Sequence, residues 1–277
     1  MLIPFYKMHG AGNDFIVVDD RKQELPLDDA EWLSRIAARK TGVGCEGVIA
    51  AQESESADFR MRFFNPDGNE VEMCGNGARC IARFAYDMKI ATKHMTIETA
   101  AGTLEAEIRD NKVKLHMTNP SEASLGREIR INNKTVNYGF INTGVPHVVV
   151  QVPDLKSCDV TGMGSEIRYH NKFSPAGTNT NFVRSEGPQA ISIRTYERGV
   201  EDETLACGTG ITAGAIIAAL SGIASPPVNV RTAGNDQLTV DFDVSGSAVS
   251  NVTLLGPAVY VFKGQLQYPA SEFQPMV

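Results

Sequence analysis

The sequence predicts an α+β chain of two similarly folded halves, each a sheet wrapped around one central helix. Three observations carry this reading. A short element occurs twice, as Met73-Cys74-Gly75-Asn76-Gly77 and as Ala206-Cys207-Gly208-Thr209-Gly210, each time leading into an apolar helical run. The run after Cys207 (Ile211, Ala213, Ala215, Ile216, Ile217, Ala218, Leu220) is apolar on nearly every side, the pattern of a helix buried all round. The order of elements also recurs, with Asn65 preceding Cys74 by nearly the spacing at which Glu197 precedes Cys207, as expected of an internal repeat.

Taken in order, Ile3–Tyr6 and Phe15–Val18 read as strands around the polar turn from His9 to Asp14. Asp28 and Asp29 cap a helix whose apolar face is Trp32, Leu33, Ile36 and Ala37, residues at helical spacing. A glycine-rich bend from Thr41 leads to a strand at Val48–Ala51. Phe59, Met61 and Phe63 alternate with Arg60 and Arg62, which marks a half-buried strand. Asn65-Pro66-Asp67-Gly68-Asn69 is a turn, because Pro, Asp and Gly each favour turn dihedrals. The helix from about Asn76 carries Ile81, Phe84, Ala85 and Met88 on one face, and strands at Met95–Thr99, Thr103–Arg109 and Val113–Met117 follow. The segment 119–126 reads as a linker. It separates a first domain, 1–118, from a second, 119–263, with 264–277 returning to the first. The second domain has strands at Val136–Asn142, Val148–Val152 and Ile191–Tyr196. After its helix come Val228–Arg231, Leu238–Phe242, Val252–Leu255 and Ala258–Lys263. The polar tail after Tyr268 is expected to fray.

Composition removes several function classes. A chain of 277 residues, 42% hydrophobic and 21% charged, with a net charge of −7, is a globular chain poorly suited to nucleic acid or an anionic membrane surface. Ile211 to Ile223, the longest strongly apolar run, is shorter than the ~20 residues of a membrane span. The opening MLIPFYKMHG lacks a basic region followed by an apolar core, so no signal peptide is expected. Five cysteines without a C-x-x-C pair suit a reducing compartment, and the expected location is the cytoplasm.

The repeated cysteines carry the chemistry. Helix N-termini present amide N–H groups without intrahelical acceptors and a positive dipole end. A thiol there is acidified, and the neighbouring glycine amides can grip a carboxylate. Two such ends serving one ligand would make a carboxylate clamp with a thiol on either side, a site for moving a proton across carbon. Cys45, Cys80 and Cys158 read as packing residues. Gly208-x-Gly210-x-x-Ala213 matches a permissive dinucleotide fingerprint, but an acidic loop rather than a strand precedes it and no acidic residue follows ~20 positions on. No second cysteine or histidine stands at zinc-ligand spacing. His147 stands out because it follows a Gly-x-Pro turn.

Several motifs together resemble the diaminopimelate epimerase family. They are Lys7-Met8-His9-Gly10-Ala11-Gly12-Asn13-Asp14-Phe15; Phe64 to Gly68 with Cys74 to Cys80; Tyr196-Glu197-Arg198-Gly199; Ala206 to Gly210; and Gly256-Pro257-Ala258. The resemblance implies two pseudo-symmetric domains, each a mainly antiparallel β-barrel around a central α-helix, with the site in the cleft between them. It implies interconversion of LL- and meso-2,6-diaminopimelate, with no cofactor and no metal, and a homodimer. Carried over residue by residue, Cys74 and Cys207 are the acid/base pair. Gly75, Asn76, Gly208 and Thr209 hold the reacting carboxylate. Asn13, Asn65, Asn179 and Arg198 recognise the distal amino acid group, while His147 and Glu197 adjust the thiols, Glu197 also lying against substrate. Proline racemases and hydroxyproline epimerases share the architecture but typically carry histidine where this chain has Asn76. Val145 replaces an asparagine often found before Pro-His, and Phe262 stands where some members have a tyrosine tied to dimer formation.

The residues support such chemistry apart from the resemblance. An amino acid α-proton is far less acidic than any side chain. Aligned amides in a dry pocket must therefore stabilise the developing carbanion, and inversion needs a base on one face and an acid on the other. Three other readings stay open at this point: a related racemase such as hydroxyproline epimerase, a dithiol redox protein using Cys74 and Cys207 as a reversible disulfide, and a non-catalytic amino acid-binding protein.

Overall fold

Phe15-Ile16-Val17-Val18 and Val48-Ile49-Ala50-Ala51 lack polar alternation because both faces of these strands are covered. The computed structural model describes residues 1–246 and 248–269; the end of the tail read as frayed lies outside the described residues. The chain divides into two units, Met1–Leu115 joined by the segment from Ala258, and His116–Pro257. The return starts at Ala258, ahead of the 264 expected, because the last strand pairs along the first from Val259.

In the first unit, β1 (Leu2–Gly10), β2 (Asn13–Asp19), β3 (Gly47–Gln52), β4 (Phe59–Phe64), β6 (His94–Thr99), β7 (Gly102–Arg109) and β8 (Lys112–His116) pair in that order. The short β5 (Glu70–Val71) pairs with β4, and β18 (Val259–Gln267) lies on β1. Among the described pairings of this unit, β2–β3 and β4–β6 are parallel and the others antiparallel. The sheet curls around α2 (Gly75–Asp87), which touches β1, β2, β3, β4 and β7. Its outer face carries α1 (Ala30–Ala37). The Asp29 carboxylate caps this helix by accepting from Trp32 N–H at 2.9 Å, and Trp32, Leu33 and Ile36 pack on Ile3, Phe5, Ile16 and Val18.

The second unit repeats the plan. Strands β9 (Ser121–Ile131), β10 (Lys134–Asn142), β11 (Pro146–Gln151), β12 (Asn179–Gly187), β13 (Ala190–Glu197), β15 (Val228–Arg231), β16 (Gln237–Ser245) and β17 (Ala248–Pro257) pair in that order. The short β14 (Asp202–Thr204) lies on β13, and among the described pairings of this unit β11–β12 and β13–β15 are parallel. The sheet surrounds α4 (Gly208–Leu220), buried from Gly210 to Ala218 as its all-apolar sequence requires. The outer face carries α3 (Val160–Arg168). Registers correspond residue by residue: Phe15 faces Gly47 and Ile49 faces Phe63, as His147 faces Asn179 and Asn181 faces Thr195.

The sequence reading placed no strand at β12 or at the short β5 and β14, and two further elements depart from it. The segment read as a linker enters a strand, β9, whose early part is exposed and twice interrupted in register against β10. Its serine- and glycine-containing sequence shows no apolar alternation because there is little for it to face. The helix α3 carries two glycines that mask its periodicity. Gly164 is needed there, since a Cβ would lie 2.4 Å from Tyr196 Cβ.

Candidate active site

Both repeated cysteines are N-cap residues with extended backbone, and neither thiol caps its own helix. The first helical bonds are Ala78 N–H to the Cys74 carbonyl and Ile211 N–H to the Cys207 carbonyl, each 2.8 Å. The amides of Gly75, Asn76 and Gly77, and those of Gly208, Thr209 and Gly210, therefore point out of the helix ends beside the thiols. The helix ends are closely packed one turn in: a Cβ on Gly77 would meet the movable end of Ile49, Cδ1, at 2.8 Å, and one on Gly210 would meet Asn181 Oδ1 at 2.4 Å. Gly75, by contrast, has open space around it.

Around Cys74 the first unit brings together Asn13, Gly75 and Asn76. The tight β1–β2 turn holds Ala11 and Gly12 at positive φ (56° and 85°) and delivers Asn13, whose Nδ2 lies 3.9 Å from Cys74 Sγ. Behind it, Lys7 pairs with Asp14 at 2.5 Å and donates to the Gly44 carbonyl. Burial opposes ionisation of Asp14, but Lys7 and Arg39 hold its carboxyl below the usual range. Arg79, fully buried, donates to Asn76 Oδ1 at 2.8 Å and so fixes the side chain of Asn76. Asn65, half-buried, opens the turn before Cys74, its backbone bonded to Gly68 and Asn69.

Around Cys207, Thr209 Oγ1 lies 3.5 Å from the sulfur and Thr143 Oγ1 donates to the Thr209 carbonyl at 3.0 Å. His147 is fully buried; burial first, and the Arg198 charge second, push its pKa down to about 3, so the ring is neutral. Asn179 Oδ1 accepts from Arg198 N–H at 2.8 Å and its Nδ2 donates to the Pro146 carbonyl at 3.4 Å. The Asn179 carboxamide thus ties the Arg198 turn to the Pro146 turn. Arg198 Nη1 donates to the Ala176 carbonyl at 3.0 Å, and Glu197 accepts from Thr204 Oγ1 at 2.8 Å. Glu201, at a φ of 59°, holds that turn by accepting from Gly199 N–H, Arg168 and Tyr196.

The three remaining cysteines behave as packing residues: Cys80 is fully buried and its thiol is pushed up to about 12, and burial raises Cys45 and Cys158 too. Arg79, Asn181, Thr195 and Glu201 escaped the sequence reading. Asn181 carried a usable signal, since it sits two residues beyond Asn179 on one strand face. No metal-competent cluster occurs among the described residues. None of the described helices is long and apolar enough to cross a membrane.

A sequence profile of the family described as diaminopimelate epimerase matches residues 5–123 and again 139–261. The chain is 42% identical to the diaminopimelate epimerase of Aquifex aeolicus (strain VF5), over 97% of this chain and 99% of that protein. It is 40% identical to that of Flavobacterium psychrophilum, over 93% and 98%. Among solved structures, a PhzF-family phenazine biosynthesis protein of Bacillus anthracis superposes with a TM-score of 0.73 at 17% identity, covering 96% of this chain and 99% of that one. A hydroxyproline epimerase from Agrobacterium vitis gives 0.69 at 18%, covering 96% and 91%. At those identities the structural matches bear on the fold alone.

Proposed function

The chain belongs to the diaminopimelate epimerase family, and from that premise we propose that it interconverts LL- and meso-2,6-diaminopimelate without a cofactor, one thiolate removing an α-proton and a second thiol supplying another to the opposite face. The observation that carries the reading is the duplicated helix end: each unit caps a buried helix with a cysteine whose thiol is not used for capping. In the proposed reaction one cysteine, as thiolate, removes the α-hydrogen. The carbanion forms with its carboxylate held by the amides of Gly75, Asn76, Gly208 and Thr209, and the other cysteine, as thiol, returns a proton to the opposite face. Preorganised amides at helix ends are the groups that stabilise such charge without reorganising. Asn13, Asn65, Asn179 and Arg198 would select the distal amino acid group, with Asn179 acting through Arg198. Glu197 and His147 would adjust the thiols.

The product of this reaction serves lysine and peptidoglycan precursor synthesis, which fits a cytoplasmic enzyme with a small-molecule partner and neither nucleic acid nor membrane. Homodimer formation is proposed through β18, where Val259, Val261 and Phe262 are exposed side by side, an apolar strip of the kind that marks an interface. Incubation with LL-diaminopimelate in deuterated water is the test. The meso product should carry solvent deuterium at one α-carbon while early recovered substrate carries almost none. Extensive early labelling of the substrate would indicate a single exchanging base and overturn the two-thiol assignment.

A further inference from the structure

His147, Asn181 and Thr195 are neighbours across β11, β12 and β13 in the layer beneath α4, and all three are buried. Asn181 Nδ2 lies 3.0 Å from His147 Nδ1 and 3.0 Å from the Val148 carbonyl oxygen, while its Oδ1 accepts from Thr195 Oγ1 at 3.0 Å. The Val148 carbonyl decides which way the carboxamide lies. A carbonyl only accepts, so a reversed amide would set two oxygens in contact. With the nitrogen facing Val148, its second hydrogen points at His147 Nδ1. That makes Nδ1 the acceptor and places the proton of the neutral ring on Nε2. Nε2 is itself buried and has no hydrogen-bond partner among the described residues. An open buried donor is costly, and packing alone does not explain that cost.

The first unit supplies the comparison. In the matching registers it places Phe15, Ile49 and Phe63 where the second unit has His147, Asn181 and Thr195. The two phenylalanine rings meet edge to face at 6.0 Å. The layer lies in the same place under both helices: a Cβ on Gly77 would strike Ile49, and one on Gly210 would strike Asn181. The fold therefore closes this layer with hydrocarbon in one unit and with a polar triad in the other. Asn181 also lies close to the thiol, since a Cβ on Gly210 would stand 2.4 Å from Asn181 Oδ1 and 3.4 Å from Cys207 Sγ.

We propose that Asn181 is a positioning residue for His147, holding the ring as its Nε2–H tautomer so that it enters the reaction as a hydrogen-bond donor and not as a base. The acceptor it awaits is one that arrives with the substrate or its carbanion, a point that rests on the epimerase reading above. The low pKa of the ring agrees, because an imidazole that stays neutral down to about 3 offers a hydrogen bond without a charge. Thr195 contributes by donating to Asn181 Oδ1, which leaves the amide one orientation.

The test is a two-bond 1H–15N spectrum of the full chain labelled at histidine, with the His147 signals assigned by their loss in His147→Phe, the residue type of the first unit. His147 should show the Nε2–H pattern. Asn181→Asp sets an acceptor opposite Nδ1 and should pull the proton onto that nitrogen. It should lower kcat at least about tenfold while KM stays within about threefold, the signature of an interaction made in the transition state. A merely structural role would lower stability without moving the proton. Thr195→Val, nearly isosteric, should give a tautomer mixture and a smaller loss of kcat, and it decides the matter if Asn181→Asp does not fold. An Nδ1–H or doubly protonated His147 in the unaltered protein would overturn the proposal, as would an Asn181→Asp protein with unchanged tautomer and kcat. The two readings separate cleanly. The Nε2–H pattern without α-proton exchange on diaminopimelate sinks the epimerase reading alone, and exchange with the other tautomer sinks the role given to Asn181.

Discussion

Gly77 and Gly210 hold equivalent places in the two units, yet replacing each by alanine should have unequal consequences. At Gly210 the new Cβ would lie 2.4 Å from Asn181 Oδ1, and Asn181 cannot retreat because His147, Val148 and Thr195 hold its amide. Relief requires giving up one or two buried hydrogen bonds at about 1 kcal/mol each, on top of about 1–3 kcal/mol for overpacking, offset by at most about 1 kcal/mol of helix propensity. The net loss should be about 2–3 kcal/mol. At Gly77 the new Cβ would meet Ile49 Cδ1 at 2.8 Å and Met61 Cε at 3.4 Å, the far ends of side chains that can turn. Its cost of about 1 kcal/mol is nearly cancelled by the propensity gain. Urea unfolding followed by far-UV circular dichroism measures both. The single tryptophan, Trp32, belongs to the first unit, so its fluorescence separates that unit's transition from the whole. Gly210→Ala should unfold earlier than Gly77→Ala by about 2 kcal/mol, beyond the usual error of such extrapolations. Equal stabilities would mean that Asn181 moves freely, and the rigid triad would have to be abandoned.

Three further outcomes follow from the site. Between the ordinary histidine value of 6.5 and about 3, the unfolded chain binds a proton at His147 that the folded chain refuses. Stability should therefore fall by up to about 1.4 kcal/mol per pH unit as pH drops through that window. His147→Phe should remove that share of the slope in urea titrations, and an unchanged slope would show the ring to be protonated in the folded state. Arg198→Ala should abolish measurable substrate binding, while Val145→Asn should change KM by less than about tenfold, or ~1.4 kcal/mol; a larger effect would mean that the turn before His147 is placed differently from the family's. If the thiols flank one α-carbon, peroxide should inactivate the enzyme through a Cys74–Cys207 bond, reversibly with dithiothreitol and slowed by substrate. Burial disfavours the thiolates of Cys45, Cys80 and Cys158, so peptide mapping that finds one of those cysteines in the bond instead would refute the pairing.

The parts of the fold legible in the sequence are those with a single strong cause. The all-apolar run after Cys207 dictates a helix buried on every side, and the doubled Cys-Gly-x-Gly marks the two helix ends. The helix α3 was not legible because its two glycines mask the periodicity, and one of them, Gly164, answers to Tyr196, a residue distant in sequence. For the same reason the role of Asn179 could be placed near Arg198 but not described. Whether a carboxamide meets substrate or ties two turns together depends on its partners, Arg198 N–H and the Pro146 carbonyl. The spacing of Asn181 from Asn179 hints at a shared face, but its role follows only from the register that sets it opposite Thr195.

The unequal inner layers bear on the proposed chemistry itself. Epimerisation by two thiols needs one proton shared between them, and two identical, independent thiols would hold a single proton in at most about half of the molecules. Unequal surroundings raise that fraction. The duplicated fold supplies matching helix ends, each with outward amides, while divergence beneath them supplies the inequality. The layer against the helix end of Cys74 holds Phe15, Ile49 and Phe63, and the Asn13 amide lies 3.9 Å from that sulfur; the layer against the helix end of Cys207 holds His147, Asn181 and Thr195, and a hydroxyl lies 3.5 Å from that sulfur. A chain given the first unit's hydrocarbon layer in both halves should therefore keep its fold and its helix-end amides while losing kcat.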